Sequence, residues 1–167
     1  VVLSVAVFAL GASPAAAQEA PGWGVYASAG LGAGGIDGDE ATALTGRVAV
    51  ARGPHHLMVR ASGLLDLASE SDDPVGDLGL LYGRAVAGRW GHLLAAVGVA
   101  RTSGARCRPT RPGCRDEVSV GVPILGEVSF APIGPVGLGV QAFANVNGGE
   151  VFGGVAATLR IGRVPDS

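Results

Sequence analysis

The chain has 167 residues, 48% of them hydrophobic, with 29 glycines and a formal net charge of −2 at pH 7. That length fits a single domain, and glycines set among Val, Leu and Ala rather than in Ser/Pro/Gln tracts exclude low-complexity disorder. All 12 of the strong cations are Arg, charge is balanced, and no global basic field exists, so nucleic acid is not expected as a partner.

The first segment, Val1–Leu10, is apolar and runs into Gly11-Ala12-Ser13-Pro14 and Ala15-Ala16-Ala17. An apolar run ending in a small-x-small site reads as a cleavable secretory signal over residues 1–17, cut between Ala17 and Gln18. No initiator Met or basic leader precedes it, so it reads as truncated at its front. Residues 18–22 form a short lead. The run is too short to cross a bilayer as a helix, which takes roughly 20 apolar residues. Gly, Arg, Asp or Ser interrupts each later segment.

From Trp23 to Val164 the sequence alternates apolar with polar or small residues in eight short stretches. The first, Trp23–Gly34, sets Trp23, Val25, Ala27, Ala29 and Leu31 against Gly24, Tyr26, Ser28, Gly30 and Gly32. The second, about Thr42–Arg52, alternates Leu44, Val48 and Val50 with Thr45, Arg47 and Ala49. The third, about His56–Ala68, puts Leu57, Val59, Ala61, Leu65 and Leu67 opposite Met58, Arg60, Ser62, Leu64 and Asp66. In the fourth, about Asp77–Ala87, Tyr82 and Arg84 share the face of Leu78 and Leu80, which a bulge or an Arg reaching the membrane surface would explain.

The fifth stretch, His92–Thr102, is apolar on both faces. In the sixth, Val118–Phe130, Val118, Val120, Val122, Ile124 and Val128 face away from Ser119, Gly121, Leu125, Glu127 and Ser129. Pro123 within it predicts a bulge or a local break. The seventh, Val136–Asn147, alternates Val136, Leu138, Val140 and Ala142 with Gly137, Gly139, Gln141, Phe143 and Asn145. The eighth, Glu150 to about Val164, opposes Val155, Ala157, Leu159 and Ile161 to Gly154, Ala156, Thr158 and Arg160.

The turns after even-numbered stretches are compact and hold Pro or Gly. Of the four connectors after odd-numbered stretches, the first three (Gly35–Glu40, Ser69–Pro74 and Ser103–Glu117) read as long or charged. Short turns alternating with longer loops, and stretches near the 9–11 residues of a tilted transmembrane strand, fit a barrel with lipid outside and a polar lumen. In these features, and in the closing hairpin Val136–Asn147 with Phe152–Gly162, the chain resembles the small eight-stranded outer-membrane barrels of Gram-negative bacteria. The resemblance covers residues 23–164. It implies an all-β, antiparallel, up-and-down transmembrane β-barrel, short turns and both barrel ends in the periplasm, outer-membrane lipid as surroundings, and a monomer.

The inward faces collect Arg47, Arg60, Asp66, Glu127 and Arg160, with Tyr26, Gln141 and Asn145. A barrel of eight strands is filled by its own side chains, and inward glycines make room for guanidinium groups. Desolvated Arg needs a carboxylate, and Glu127 with Arg160 or Arg60 is the expected pair. The network reads as a lumen plug rather than a gated pore. Cys107 and Cys114 bracket six residues of the longest connector, and in an exported chain they are expected to form a disulfide. Arg106, Arg108, Arg111 and Arg115 make that loop basic, suited to lipopolysaccharide phosphates or to plain solvation.

No cofactor or metal site is expected, because His55-His56 has no further ligand cluster nearby. An enzymatic reading, such as the lipid hydrolases found on some barrels, needs a Ser/His pair. The stretches from Val118 onward contain no His, and His92 reads as lying at the wrong end to serve Ser119 or Ser129. A soluble secreted barrel holding a small apolar ligand stays open, because alternation alone does not say which face is inside.

Overall fold

The computed structural model describes residues 22–36, 39–65, 75–88, 91–106, 115–133, 135–148 and 151–164. They form eight strands: β1 (Trp23–Ile36), β2 (Asp39–Arg52), β3 (His55–Leu65), β4 (Val75–Gly88), β5 (Gly91–Arg106), β6 (Arg115–Ile133), β7 (Val136–Asn147) and β8 (Val151–Gly162). Each pairs antiparallel with its sequence neighbours, and β8 returns to β1 to close an up-and-down barrel.

The register fixes the barrel's shape. From Val25 the pairing runs through Val50, Leu57, Tyr82, Val97, Ile124, Ala144 and Gly153 and returns to β1 at Gly35. One circuit therefore advances ten residues along β1, from position 25 to position 35. With ~3.3 Å per residue and ~4.8 Å between strands, that stagger tilts the strands by about 41° and sets a backbone radius of about 8 Å. The 12 residues of β8 then rise about 30 Å along the axis, the thickness of a hydrocarbon core.

The alternation resolves into an inside and an outside. Leu31, Val59, Leu80, Val99, Val120, Val140 and Leu159 face outward and are exposed, while Arg47, Arg60, Glu127, Gln141 and Arg160 are buried. Leu31 is 60% exposed and Arg60 0%, the reverse of a soluble barrel around an apolar ligand. Turns follow the local chemistry. Gly53 takes φ 53° between β2 and β3, a left-handed conformation that costs glycine little, and Pro54 offers its carbonyl to the Ala85 amide at 2.8 Å.

One expectation changes in the structure, and two alternatives are decided. The first connector is mostly strand: Gly35 pairs with Glu40 and Ile36 with Asp39, leaving only 37–38 between β1 and β2. Polar residues there had suggested a loop, but ladder pairing overrides weak strand propensity. The longer connectors of that end are thus 66–74 and 107–114. In β4 there is no bulge, because both its ladders keep one register throughout and Tyr82 and Arg84 simply face outward. Around Pro123 the β5–β6 ladder lapses at Gly98 and Val99 and resumes in the same register, while pairing to β7 continues through Pro123 and Asn145. That is a local break, as a residue without an N–H dictates. The register shift of β6 lies elsewhere, between Phe130 and Ile133.

Candidate functional site: the barrel lumen

Inward alternation places polar side chains from all eight strands in a lumen too narrow for much water. The largest polar unit crosses it. Arg47 on β2 forms an ion pair through Nη2 with Glu127 Oε2 on β6. Arg47 Nη1 also donates to Gln141 Oε1 at 3.4 Å, and Gln141 Nε2 donates to Thr45 Oγ1 at 3.1 Å, linking β2, β6 and β7. A second unit centres on Asp77, whose Oδ2 accepts from Arg60 Nη2 at 2.5 Å and from Asn145 Nδ2 at 2.6 Å. Arg60 Nη1 donates to the Ile124 carbonyl at 3.3 Å, and its guanidinium lies 5.5 Å from the Phe143 ring centre.

The third unit sits toward the short-turn end. Arg160 Nη1 donates to Ser129 Oγ at 3.0 Å, and no carboxylate among the described residues lies within salt-bridge distance of it. Arg47 and Arg160 both approach the Tyr26 ring, at 5.6 and 5.7 Å. The Tyr26 hydroxyl bonds His56 Nδ1 at 2.9 Å, and the His56 and His92 rings lie 5.2 Å apart.

Apolar clusters pack beside these polar units. Tyr26, Ala51, Met58, Leu81, Ala85, Leu94 and Leu125 belong to the larger one, and Val164, just past β8, packs against it. Ala43, Leu64, Phe143 and Phe152 form a smaller cluster. Two glycines make room for polar neighbours. A Cβ on Gly121 would stand 2.0 Å from Asn145 Oδ1, and one on Gly137 would stand 3.0 Å from Arg160 Nη2.

The structure thus brings together four of the five charges expected in the lumen: Arg47, Arg60, Glu127 and Arg160. Their partners differ from expectation. Glu127 binds Arg47 rather than Arg160 or Arg60, since the stagger carries β2 across the lumen to β6. Asp77, missed in the sequence because it borders an acidic connector, supplies the partner of Arg60. Its inward phase with Gly79 and Leu81 was the available signal. A second correction concerns His92. The register pairs it directly with Ser129, so it does not lie at the wrong end of the barrel. The two still form no catalytic dyad, because Ser129 is held by Arg160, His92 makes no hydrogen bond among the described residues, and Ser129 is 1% exposed.

Other expected sites lie outside the described residues: the signal 1–17 with Ala17 and Gln18, Asp66, Cys107, Arg108, Arg111 and Cys114. Arg106 and Arg115 stand opposite each other in the register at the base of the β5–β6 connector.

No family model and no curated protein sequence matches the chain. Solved structures do. The chain is similar to neisserial surface protein A, NspA, with 19% identity and a TM-score of 0.55 over 86% of this chain and 99% of that one. It is similar to Ail, the attachment invasion locus protein of Yersinia pestis in complex with the heparin analogue sucrose octasulfate, with 7% identity and a TM-score of 0.64, covering 84% and 99%. The N-terminal β-barrel domain of Pseudomonas aeruginosa OprF matches with 11% identity and a TM-score of 0.59, covering 83% and 97%. The fold is that of the small eight-stranded outer-membrane barrels.

Proposed function

We propose that this chain is an integral barrel of the bacterial outer membrane with a structural or surface-interaction role, neither an enzyme nor an open pore. One observation carries the reading: the wall is apolar outside and three arginines are buried inside. Water would penalise such an exterior, and lipid removes the penalty. The fold shared with NspA, Ail and the OprF domain supports the location. If the mature protein leaves membranes on carbonate washing without detergent, the reading is wrong.

The lumen is a plug in this reading. Two ion pairs and an Arg–Ser bond join five strands, and two apolar clusters fill space beside them. The protein acts as a monomer with outer-membrane lipid around it, its barrel of residues 23–164 following the cleaved signal 1–17 and the periplasmic lead 18–22 and preceding the tail 165–167. Its surface activity resides in the β5–β6 connector, where a Cys107–Cys114 disulfide braces Arg106, Arg108, Arg111 and Arg115 for polyanions such as lipopolysaccharide phosphates. The complex of Ail with a sulfated heparin analogue is consistent with polyanion recognition on this fold. Replacing these four arginines by Gln is expected to weaken retention on immobilised lipopolysaccharide and on heparin; unchanged retention on both would remove the loop from the proposal.

A further inference from the structure

The outer wall at the short-turn end carries a row of residues that the lumen network does not use. Trp23 pairs with Arg52, Arg52 with His55, and His55 with Arg84, so β1 to β4 set the four side by side. All four face outward and are exposed. The Arg52 guanidinium lies 5.4 Å from the Trp23 ring centre, and His55 Nδ1 lies 2.6 Å from the Tyr82 hydroxyl. Neither Arg52 nor Arg84 has a salt bridge among the described residues. Nor does any described Asp or Glu face outward on this end of β1–β4, since Glu40 lies at the opposite end and Asp77 is buried.

Arg84 is the sharper case. Val86 lies between it and the end of β4 on the same outward face, and Val86 pairs with the exposed Leu93. The Arg84 side chain therefore starts within the apolar band rather than beyond it. A lone guanidinium there is unfavourable unless it reaches an anion. Against a lipid-facing wall the anion at hand is a headgroup phosphate. Arg52 and Arg84 stand two strand spacings apart, about 10 Å, a gap that two arginine side chains close from either side of His55.

We propose that Arg52 and Arg84, flanking His55, clamp the phosphodiester of an anionic glycerophospholipid in the leaflet at the short-turn end. Trp23 sits at headgroup level beside it, where an amphipathic ring is favoured, and Tyr82, deeper in the wall, bonds the His55 ring through its hydroxyl. A zwitterionic lipid offers the same phosphate but brings an ammonium toward two guanidinium groups, so the site prefers net negative lipid. The proposal rests on the membrane placement argued above.

Trp23 reports on the site directly. In a Trp90→Phe background it is the sole tryptophan, and brominated lipids quench it on contact. With the protein in bilayers mixing brominated phosphatidylglycerol and phosphatidylcholine, the expected preference for the anionic lipid is about thirtyfold, taking ~1 kcal/mol for each of the two arginines engaged. Arg52→Gln/Arg84→Gln should bring it to parity, whereas Arg101→Gln, on the same wall at the opposite end, should leave it unchanged. Heat-modifiable gel mobility verifies that each variant is folded. Equal quenching by the two lipids in the unsubstituted row, or an undiminished preference in the double variant, overturns the proposal. Loss of the preference on adding inorganic phosphate also overturns it, reassigning the row to a soluble anion. If neither lipid quenches Trp23, the membrane placement itself has failed.

Discussion

Replacing Asp77 by Ala isolates the energetics of the lumen. Asp77 Oδ2 accepts both the Arg60 guanidinium and the Asn145 amide, and the side chains of Arg60 and Asp77 are 0% exposed. Removal leaves Arg60 with one carbonyl acceptor at 3.3 Å and the Phe143 ring, in a space no other described carboxylate reaches. Breaking one partner of a buried pair costs about 3–5 kcal/mol, mostly the penalty of the stranded charge. The stranded amide of Asn145 adds about 1 kcal/mol. Arg60→Met should be similarly harmful alone. Arg60→Met/Asp77→Ala should cost much less than the sum of the single variants, since the two apolar side chains strand no charge. Urea unfolding of the barrel in lipid vesicles, followed by tryptophan fluorescence and gel mobility, measures all four corners of this cycle. An Asp77→Ala loss under about 0.5 kcal/mol, or additive singles, would refute the view that the pair is dry and mutually dependent.

The other expectations use the same unfolding assay or a simple companion. Val97→Arg, near mid-height of the outer wall, should cost about 2–4 kcal/mol in a bilayer, and no penalty there would mean the wall faces water. Gly121→Val should destabilise by about 1–3 kcal/mol through overpacking against Asn145, and a neutral result would show that the amide is not held. For the plug, planar bilayers containing the barrel should pass no steady current; a stable open level would establish a pore. A shift in gel mobility on reduction, with both thiols protected from alkylation beforehand, is expected for Cys107 and Cys114, and two freely alkylated thiols would exclude their disulfide.

Faces were legible in the sequence because the β period is two, so a single correct phase assigns every side chain of a strand. Arg47, Arg60, Glu127 and Arg160 could be placed on one face for that reason alone, and the alternation of short turns with longer loops made that face the lumen. Partners were not legible. Which side chains meet across a lumen depends on the ten-residue stagger, a global quantity that no local window contains. The direct pairing of His92 with Ser129 needs no such quantity, because antiparallel neighbours β5 and β6 bring the start of one beside the end of the other. Asp77 was lost for a different reason: its acidic neighbours belong to a connector, and composition outweighed phase at the boundary. Gly35–Glu40 failed the same way, its poor strand propensity concealing a regular ladder.

The two ion pairs also differ in when assembly can make them. Arg60 and Asp77 are 17 residues apart on adjacent strands, so the β3–β4 hairpin alone brings them together. Arg47 and Glu127 are 80 apart, and Thr45 and Gln141 96, so their meeting awaits curvature of most of the sheet. Closing so long a loop is entropically the later event. The first pair is then a contact that an open, unclosed sheet already possesses, whereas the second works as a latch formed only as β8 reaches β1. A variant lacking Glu127 should accumulate as inserted but unclosed sheet, and one lacking Asp77 should falter before the sheet forms.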